Sequence, residues 1–144
     1  MKNWLACLGV VLLMVAVGAV AAVAAAPKLA GTWYINGKFI EPGQTAALNL
    51  PTMTVNLAAA DNDPTLFYGA FTGPEGDPNF MTIMMDAGAN MHFTVSNHVN
   101  PQGEPVEGWY THTTGRGTAS ASKITGWWSD DRGKTGNFIF TRQP

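Results

Sequence analysis

Short runs of alternating polar and apolar residues fill the chain from residue 31 onward, and Gly, Pro, Asn or Asp separates most runs from the next. In residues 52–57 every second residue is apolar, and residues 91–95 show the same alternation. Because successive side chains of a strand point to opposite faces, a period of two predicts strands with one buried face. No long helical pattern occurs in this region, so the sequence predicts an all-β fold.

The runs predict about eight strands with short connections, which is typical of a barrel or a sandwich. We favour a single antiparallel up-and-down barrel, because closing the sheet removes the edge strands that promote aggregation. A β-sandwich is the alternative. Residues 115–117 and 129–134 are predicted turns. The predicted runs are 31–36, 45–50, 52–57, 65–72, 80–86, 91–95, 107–113, 119–128 and 137–142.

The N-terminal segment has the pattern of a secretion signal. Lys2 is followed by an apolar run, residues 4–26, without charged residues, and Ala-Val-Ala at 22–24 forms a cleavage motif. We therefore predict a signal peptide at 1–24, a β-barrel domain at 25–144, and a secreted or periplasmic location. The alternative is a retained anchor, because about 20 apolar residues span a bilayer. Only in that case would a membrane be a partner.

Composition narrows the possible partners. Cys7 is the only cysteine and lies in the predicted signal peptide, so the domain after it has no disulfide and no thiolate chemistry. The chain has a formal net charge of −2, whereas nucleic-acid binding requires a basic patch, so no nucleic-acid partner is expected. Charged residues make up only 12%, against a typical share of about 25%, which indicates a surface suited to contacts with another molecule.

The sequence contains no recognisable catalytic motif. Ser120, Ser122 and Ser129 stand in no Gly-x-Ser-x-Gly sequence, which would expose a nucleophile at a sharp turn. Asp130 and Asp131 lie beside basic residues in a predicted hairpin tip, which is typical of a solvated turn rather than of an acid/base pair. We therefore predict that the protein is not an enzyme and uses no cofactor.

Metal binding is not expected either. Zinc ligands are usually closely spaced in sequence, and the candidate ligands here are not. Asp-Asn-Asp at 61–63 begins like a calcium loop, but the Gly at the sixth position and the Glu at the twelfth are missing, which favours a capped turn. The candidate zinc ligands are His92, His98, Glu107 and His112.

Aromatic doublets are the most informative feature of the predicted strands. Neighbouring residues of a strand face opposite sides, so each doublet places one ring inside the barrel and one outside. The doublets are Trp33-Tyr34, Trp109-Tyr110 and Trp127-Trp128. The rings predicted to face inward and bind a ligand are Trp33, Phe93, Trp109 and Phe138. The predicted interface consists of the outward rings, namely Tyr34, Tyr110 and one of Trp127 and Trp128.

The two ends of the domain resemble the calycin barrels, the superfamily of lipocalin-like and avidin-like proteins. Residues 29–34 (Leu-Ala-Gly-Thr-Trp-Tyr) are similar to their Gly-x-Trp opening strand, and residues 136–142 to their closing strand. The resemblance implies that Trp33 packs against Arg142 and seals one end of the barrel, a contact that cation–π attraction favours. Ile35 stands where the avidin-like branch has an Asn, so the resemblance does not extend to biotin.

Two functions from different classes follow from these features. The leading prediction is a secreted, non-enzymatic, calycin-like barrel that binds a small apolar or amphipathic molecule. The alternative is a structural subunit of an extracellular oligomer, filament or surface layer, which would associate with copies of itself through the outward rings.

Overall fold

The computed structural model describes residues 25–86, 88–96 and 112–144. These residues form nine strands, and they include no helix that is long and apolar enough to cross a membrane. The strands are β1 (Gly31–Ile40), β2 (Leu48–Asn49), β3 (Met53–Ala60), β4 (Asp63–Thr72), β5 (Pro78–Met85), β6 (Asn90–Ser96), β7 (His112–Ala119), β8 (Lys123–Asp130) and β9 (Thr135–Arg142).

The first strand closes the sheet into a barrel. β1 pairs with β3 along one edge and with β9 along the other, and both pairings are antiparallel. From β3 to β9 each strand pairs with the next one in the chain. Eight strands therefore form a closed antiparallel barrel, and the short β2 is added to the end of β1. The predicted up-and-down barrel is confirmed, and the alternative of a sandwich is wrong.

The connections alternate between the two ends of the barrel, because successive barrel strands run in opposite directions. One end holds the connections that follow β1, β4 and β8, and we call it the open end. The other end holds the connections that follow β3, β5 and β7, together with the residues just before β1 and just after β9. We call it the closed end.

The predicted turn at 115–117 is wrong, and so is the predicted end of the strand 107–113. β7 spans His112–Ala119, so both glycines of the predicted turn lie inside a strand, and residues 107–111 lie outside the described part of the chain. Gly115 pairs with Phe93, and the Phe93 ring occupies the space that a side chain on Gly115 would need. Glycine here provides room for a neighbouring ring rather than freedom to turn.

The predicted run 119–128 is divided by a turn at Ser120. The Ser120 hydroxyl accepts a hydrogen bond from the Lys123 backbone N–H at 3.1 Å and donates one to the Lys123 carbonyl at 3.0 Å. Serine favours turns through such local bonds to the backbone. β8 therefore begins at Lys123 and continues to Asp130, two residues beyond the predicted end. Similarly, the predicted strand 45–50 is reduced to Leu48–Asn49.

Alternation along the strands fills the interior. In β5, Asn79, Met81, Ile83 and Met85 are buried, whereas the residues between them are more exposed. Burying one large apolar side chain contributes roughly 1.5–3 kcal/mol, so these inward rows supply most of the driving force for folding. The largest fully buried side chains include Trp33, Phe140, Leu29 and Ile83.

Candidate ligand-binding cavity

Trp33 is the centre of the closed end. Its side chain is 0% exposed, and its indole Nε1 donates a hydrogen bond of 2.8 Å to the Leu29 carbonyl. The guanidinium carbon of Arg142 lies 4.5 Å from the centroid of the Trp33 ring, which is within cation–π range. The two residues that the calycin resemblance pairs are therefore in contact at one end of the barrel.

Arg142 also joins separate chain segments at the closed end. Its Nε donates to the Ala121 carbonyl at 2.5 Å, its Nη1 to the Ala30 carbonyl at 2.7 Å, and its Nη2 to the Lys28 carbonyl at 2.6 Å. These bonds tie the segment before β1 and the β7–β8 turn to β9. The three N–H donors of one guanidinium thus hold together the segment before β1, the β7–β8 turn and β9. A planar guanidinium, whose donors have fixed directions, is better suited to this role than an ammonium.

A cavity lies towards the opposite, open end of the barrel. Its volume is about 450 Å³, which falls within the range of roughly 300–1,000 Å³ for small-molecule sites. Inward apolar side chains from most of the strands form the wall, and charged residues of the connections form the mouth. The wall includes Ile35, Met53, Phe71, Met81, Val95 and Phe140.

Three phenyl rings stack edge to face in the cavity wall. The ring centroids of Phe93 and Phe138 are 5.0 Å apart at an angle of 86°, and those of Phe138 and Phe140 are 5.4 Å apart at 63°. Aromatic rings prefer such arrangements, which contribute about 0.5–1.5 kcal/mol per pair beyond their buried area. The wall is therefore a packed, preformed surface rather than a set of loose side chains.

The β8–β9 connection forms one side of the mouth. Asp130 Oδ1 accepts hydrogen bonds from the backbone N–H of Arg132 at 3.0 Å and of Lys134 at 2.8 Å, which fixes the hairpin tip. The ammonium of Lys134 lies 3.1 Å from Glu41 Oε1, on the connection that follows β1. This ion pair links two connections across the mouth.

The predicted ligand-binding rings lie in different places. Phe93 and Phe138 line the cavity and are 6% and 3% exposed. Trp33 does not line it, because this residue is near the start of β1, at the closed end. Trp109 lies outside the described residues, as does the predicted interface residue Tyr110.

The sequence analysis missed most of the cavity-lining residues, and Phe71 and Asn79 are two of them. Phe71 lies in the predicted run 65–72, and the alternation that buries Phe67 also points Phe71 inward. Asn79 immediately precedes the predicted run 80–86, and counting back two residues from Met81 places it inside. A polar residue at an inward position is the signal that would have identified it.

The outward rings of the described strands do not meet. Trp127 is 71% exposed and Tyr34 is 37% exposed, whereas Trp128 is half-buried and lines the cavity. Tyr34 pairs with Thr141 and Trp127 pairs with Asn137, so β9 lies between the two rings. Their partners are about 13 Å apart along β9 at the usual rise per residue. Tyr34 and Trp127 therefore belong to separate parts of the outer surface.

The candidate metal ligands are not gathered in the described residues. Among them, no three His, Cys, Asp or Glu side chains are close enough to hold a metal ion. His92 is exposed on the outer face of β6, His112 begins β7, and His98 and Glu107 lie outside the described ranges.

Residues 61–62 form the turn between β3 and β4, and Asp63 is the first residue of β4. The Thr65 hydroxyl and the Thr65 backbone N–H donate to Asp63 Oδ1 at 2.6 Å and 2.8 Å. Both bonds favour the ionised carboxylate, so they lower the pKa of Asp63 below its usual value, the hydroxyl having the larger effect. Asp63 therefore serves as a cap at the start of β4.

Comparison with known proteins shows similarity in structure alone. No family model matches the chain, and no curated protein matches it. A redesigned β-barrel matches with a TM-score of 0.54 at 13% identity, covering 81% of this chain and 92% of its own. A fluorescence-activating β-barrel designed de novo matches with a TM-score of 0.51 at 17% identity, covering 81% and 94%.

These similarities show the fold, a small closed β-barrel, because the identities are too low to indicate more. The natural calycin family remains a prediction from the two ends of the chain.

Proposed function

We propose that the protein is a non-enzymatic carrier that binds a small apolar or amphipathic molecule in the open end of its barrel. The observation that carries this proposal is the cavity of about 450 Å³, which combines an apolar wall with a polar mouth. Binding sites for small molecules typically have this composition, since apolar surface supplies affinity and a few polar groups set orientation.

The closed end supports this proposal. Trp33 and Arg142 block the barrel there, so a bound molecule would enter and leave through the mouth alone. The stacked rings of Phe93, Phe138 and Phe140 are already in place. A preformed pocket loses little side-chain entropy when a ligand binds, which favours affinity.

A substitution that fills the cavity tests the proposal. Val95→Trp is expected to weaken the binding of the neutral apolar dye Nile red by at least about tenfold, or 1.4 kcal/mol. Val95 is buried and lines the cavity, so the indole would occupy the volume that the dye needs. The measurement is a fluorescence titration of the dye into the domain, with circular dichroism to establish that each variant is folded.

Thr94→Trp is the matched control. Thr94 is the neighbour of Val95 in β6 and is exposed on the outer face, so this change adds the same indole outside the barrel. It is expected to leave the dye affinity unchanged. If the wild-type domain does not bind Nile red, or if both variants bind it as the wild type does, the cavity is not a binding site.

The alternative of an assembly subunit has less support from the geometry. An interface requires a continuous apolar patch, and Tyr34 and Trp127 lie apart on the outer surface. A secreted or periplasmic location is part of the proposal and rests on the signal-peptide pattern of residues 1–24. N-terminal sequencing of the exported protein tests the cleavage: a chain that still began at Met1 would make residues 1–24 a retained anchor instead of a signal peptide.

A further inference from the structure

The β4–β5 side of the mouth has a distinct chemistry. Glu75, Asp77 and Asn79 all line the cavity from this side. The connection that carries Glu75 and Asp77 is tightly folded, since the Gly73 N–H donates to the Asp77 carbonyl at 2.7 Å and the Gly76 N–H donates to the Gly73 carbonyl at 3.0 Å. These polar groups are therefore held in position at the edge of the cavity.

Asn79 presents a hydrogen-bond acceptor to the cavity. It is 8% exposed and faces inward from β5, and its Nδ2 donates to Asp77 Oδ2 at 2.9 Å and to the Asp77 carbonyl at 3.2 Å. These two bonds use the amide donors and so fix which way the amide points. In the described parts of the chain, no donor bonds its Oδ1. Among the described residues no buried side-chain oxygen or nitrogen lacks a partner, so this Oδ1 is accessible from the cavity and can accept a donor that a ligand brings.

Charge on the mouth is unevenly distributed. The basic residues among the cavity-lining groups, Arg132 and Lys134, are both on the β8–β9 connection, and Lys134 is paired with Glu41. The β4–β5 connection lies across the barrel from them, as the strand order requires. It contributes Glu75 and Asp77, and no basic residue of that connection lines the cavity. The potential at this side of the mouth is therefore negative.

We propose that the ligand is an amphiphile with a cationic head group that donates hydrogen bonds, an ammonium group in particular. This inference rests on the proposed function and adds the class of ligand to it. The apolar body lies against the phenyl rings, and the ammonium lies at the β4–β5 side of the mouth, near the Asp77 and Glu75 carboxylates, with Asn79 Oδ1 accepting one of its hydrogen bonds. An anionic head group would be disfavoured there, because its negative charge and its acceptor oxygens would face the two carboxylates and Asn79 Oδ1, which are acceptors as well.

A matched series of probes with a ten-carbon chain tests this proposal. Decylammonium, decanol and decanoate have the same apolar body and differ in the charge of the head group. At pH 7 and low salt, decylammonium is expected to bind about tenfold more tightly than decanoate, which is 1.4 kcal/mol, with decanol between them. Each affinity is measured by isothermal titration calorimetry below the micelle concentration. The difference is expected to shrink at about 1 M NaCl, where the Debye length falls to roughly 3 Å.

The variant Asp77→Asn tests whether the preference for a cationic head group arises at the β4–β5 side of the mouth. This change removes the charge but keeps an oxygen that can accept the Asn79 amide, and it is expected to weaken decylammonium binding about threefold and decanol binding by clearly less. Asp61→Asn is the control, because it removes the same charge from an exposed residue at the closed end. If both variants lose the same affinity for decylammonium, the net charge of the protein and not the charge at the mouth determines binding, and the proposal is overturned.

The two proposals fail in different ways. If the three probes bind equally well, or decanoate binds best, the cationic head group is refuted and the binding function stands. If none of the three probes binds, and Nile red does not bind either, the binding function is refuted and the ligand class falls with it.

Discussion

Replacing Trp33 by alanine is expected to lower the free energy of unfolding by about 3–5 kcal/mol, the usual cost of removing a large aromatic side chain from a core. The side chain is 0% exposed, so its removal creates a cavity in the core. It also removes the ring on which the Arg142 guanidinium stacks and the hydrogen bond to the Leu29 carbonyl. Equilibrium unfolding in urea, followed by circular dichroism, gives the value.

Trp127→Ala is the matched control for Trp33→Ala. It is the same chemical change at a residue that is 71% exposed. Surface substitutions usually change stability by less than about 0.5 kcal/mol, and we expect a change below 1 kcal/mol here. If the two variants lose the same stability, Trp33 is not part of a packed seal and the account of the closed end is wrong.

Replacing Gly126 by alanine is expected to destabilise the barrel by about 3 kcal/mol, at the upper end of the usual cost of overpacking. A Cβ at this position would lie 2.6 Å from Cζ of Phe138 and 2.7 Å from the Cα of Gly117. The Phe138 ring could turn aside only by leaving its contacts with Phe93 and Phe140. The backbone of β7 could yield only by weakening its pairing with β8.

Gly43→Ala separates this steric effect from the conformational cost of replacing glycine. Gly43 has a φ of 75° and nothing within 4 Å of an added Cβ. The left-handed backbone alone costs an alanine about 1–2 kcal/mol. The same urea titration applies to both variants. If Gly126→Ala lowers the free energy of unfolding by no more than Gly43→Ala does, the interior around Phe138 is not tightly packed and the prediction is wrong.

Local alternation was enough to predict the barrel. The period of two in residues 52–57 and 91–95 marks which side chains face inward, and β3 and β6 bury the predicted faces. The contact between Trp33 and Arg142 followed instead from the resemblance of the two ends to calycins. Nothing in the local pattern indicates that residues so far apart in the chain meet.

The glycines inside strands could not be interpreted from the sequence. A glycine that allows a turn and one that makes room for a ring look alike, and only the neighbouring strand distinguishes them. Gly115 makes room for Phe93, which lies on β6, and Gly136 makes room for the indole of Trp128, on β8. Predicting a turn at 115–117 was therefore the natural error.

The residues at the mouth of the cavity could not be predicted from local sequence patterns either. Which connections share an end depends on the direction of every strand between them, so the placement of Asp77 and Lys134 at one mouth required the complete topology. Asn79 required the register of β5 as well. The cavity walls follow from periodicity, whereas the charge pattern at the entrance follows from the fold.

The pairing of β1 with β9 also has a kinetic consequence. The other barrel pairings join barrel strands that are consecutive in the chain, whereas the bond from Arg142 to the Ala30 carbonyl joins residues 112 positions apart. Closing so long a loop costs more chain entropy than forming a hairpin, and folds dominated by such contacts fold in milliseconds to seconds. We expect the β1–β9 seam to form late. Trp33 and Arg142 are part of the β1–β9 seam and also block the closed end of the barrel. Until the seam forms, the sheet therefore has no enclosed interior in which a ligand could bind.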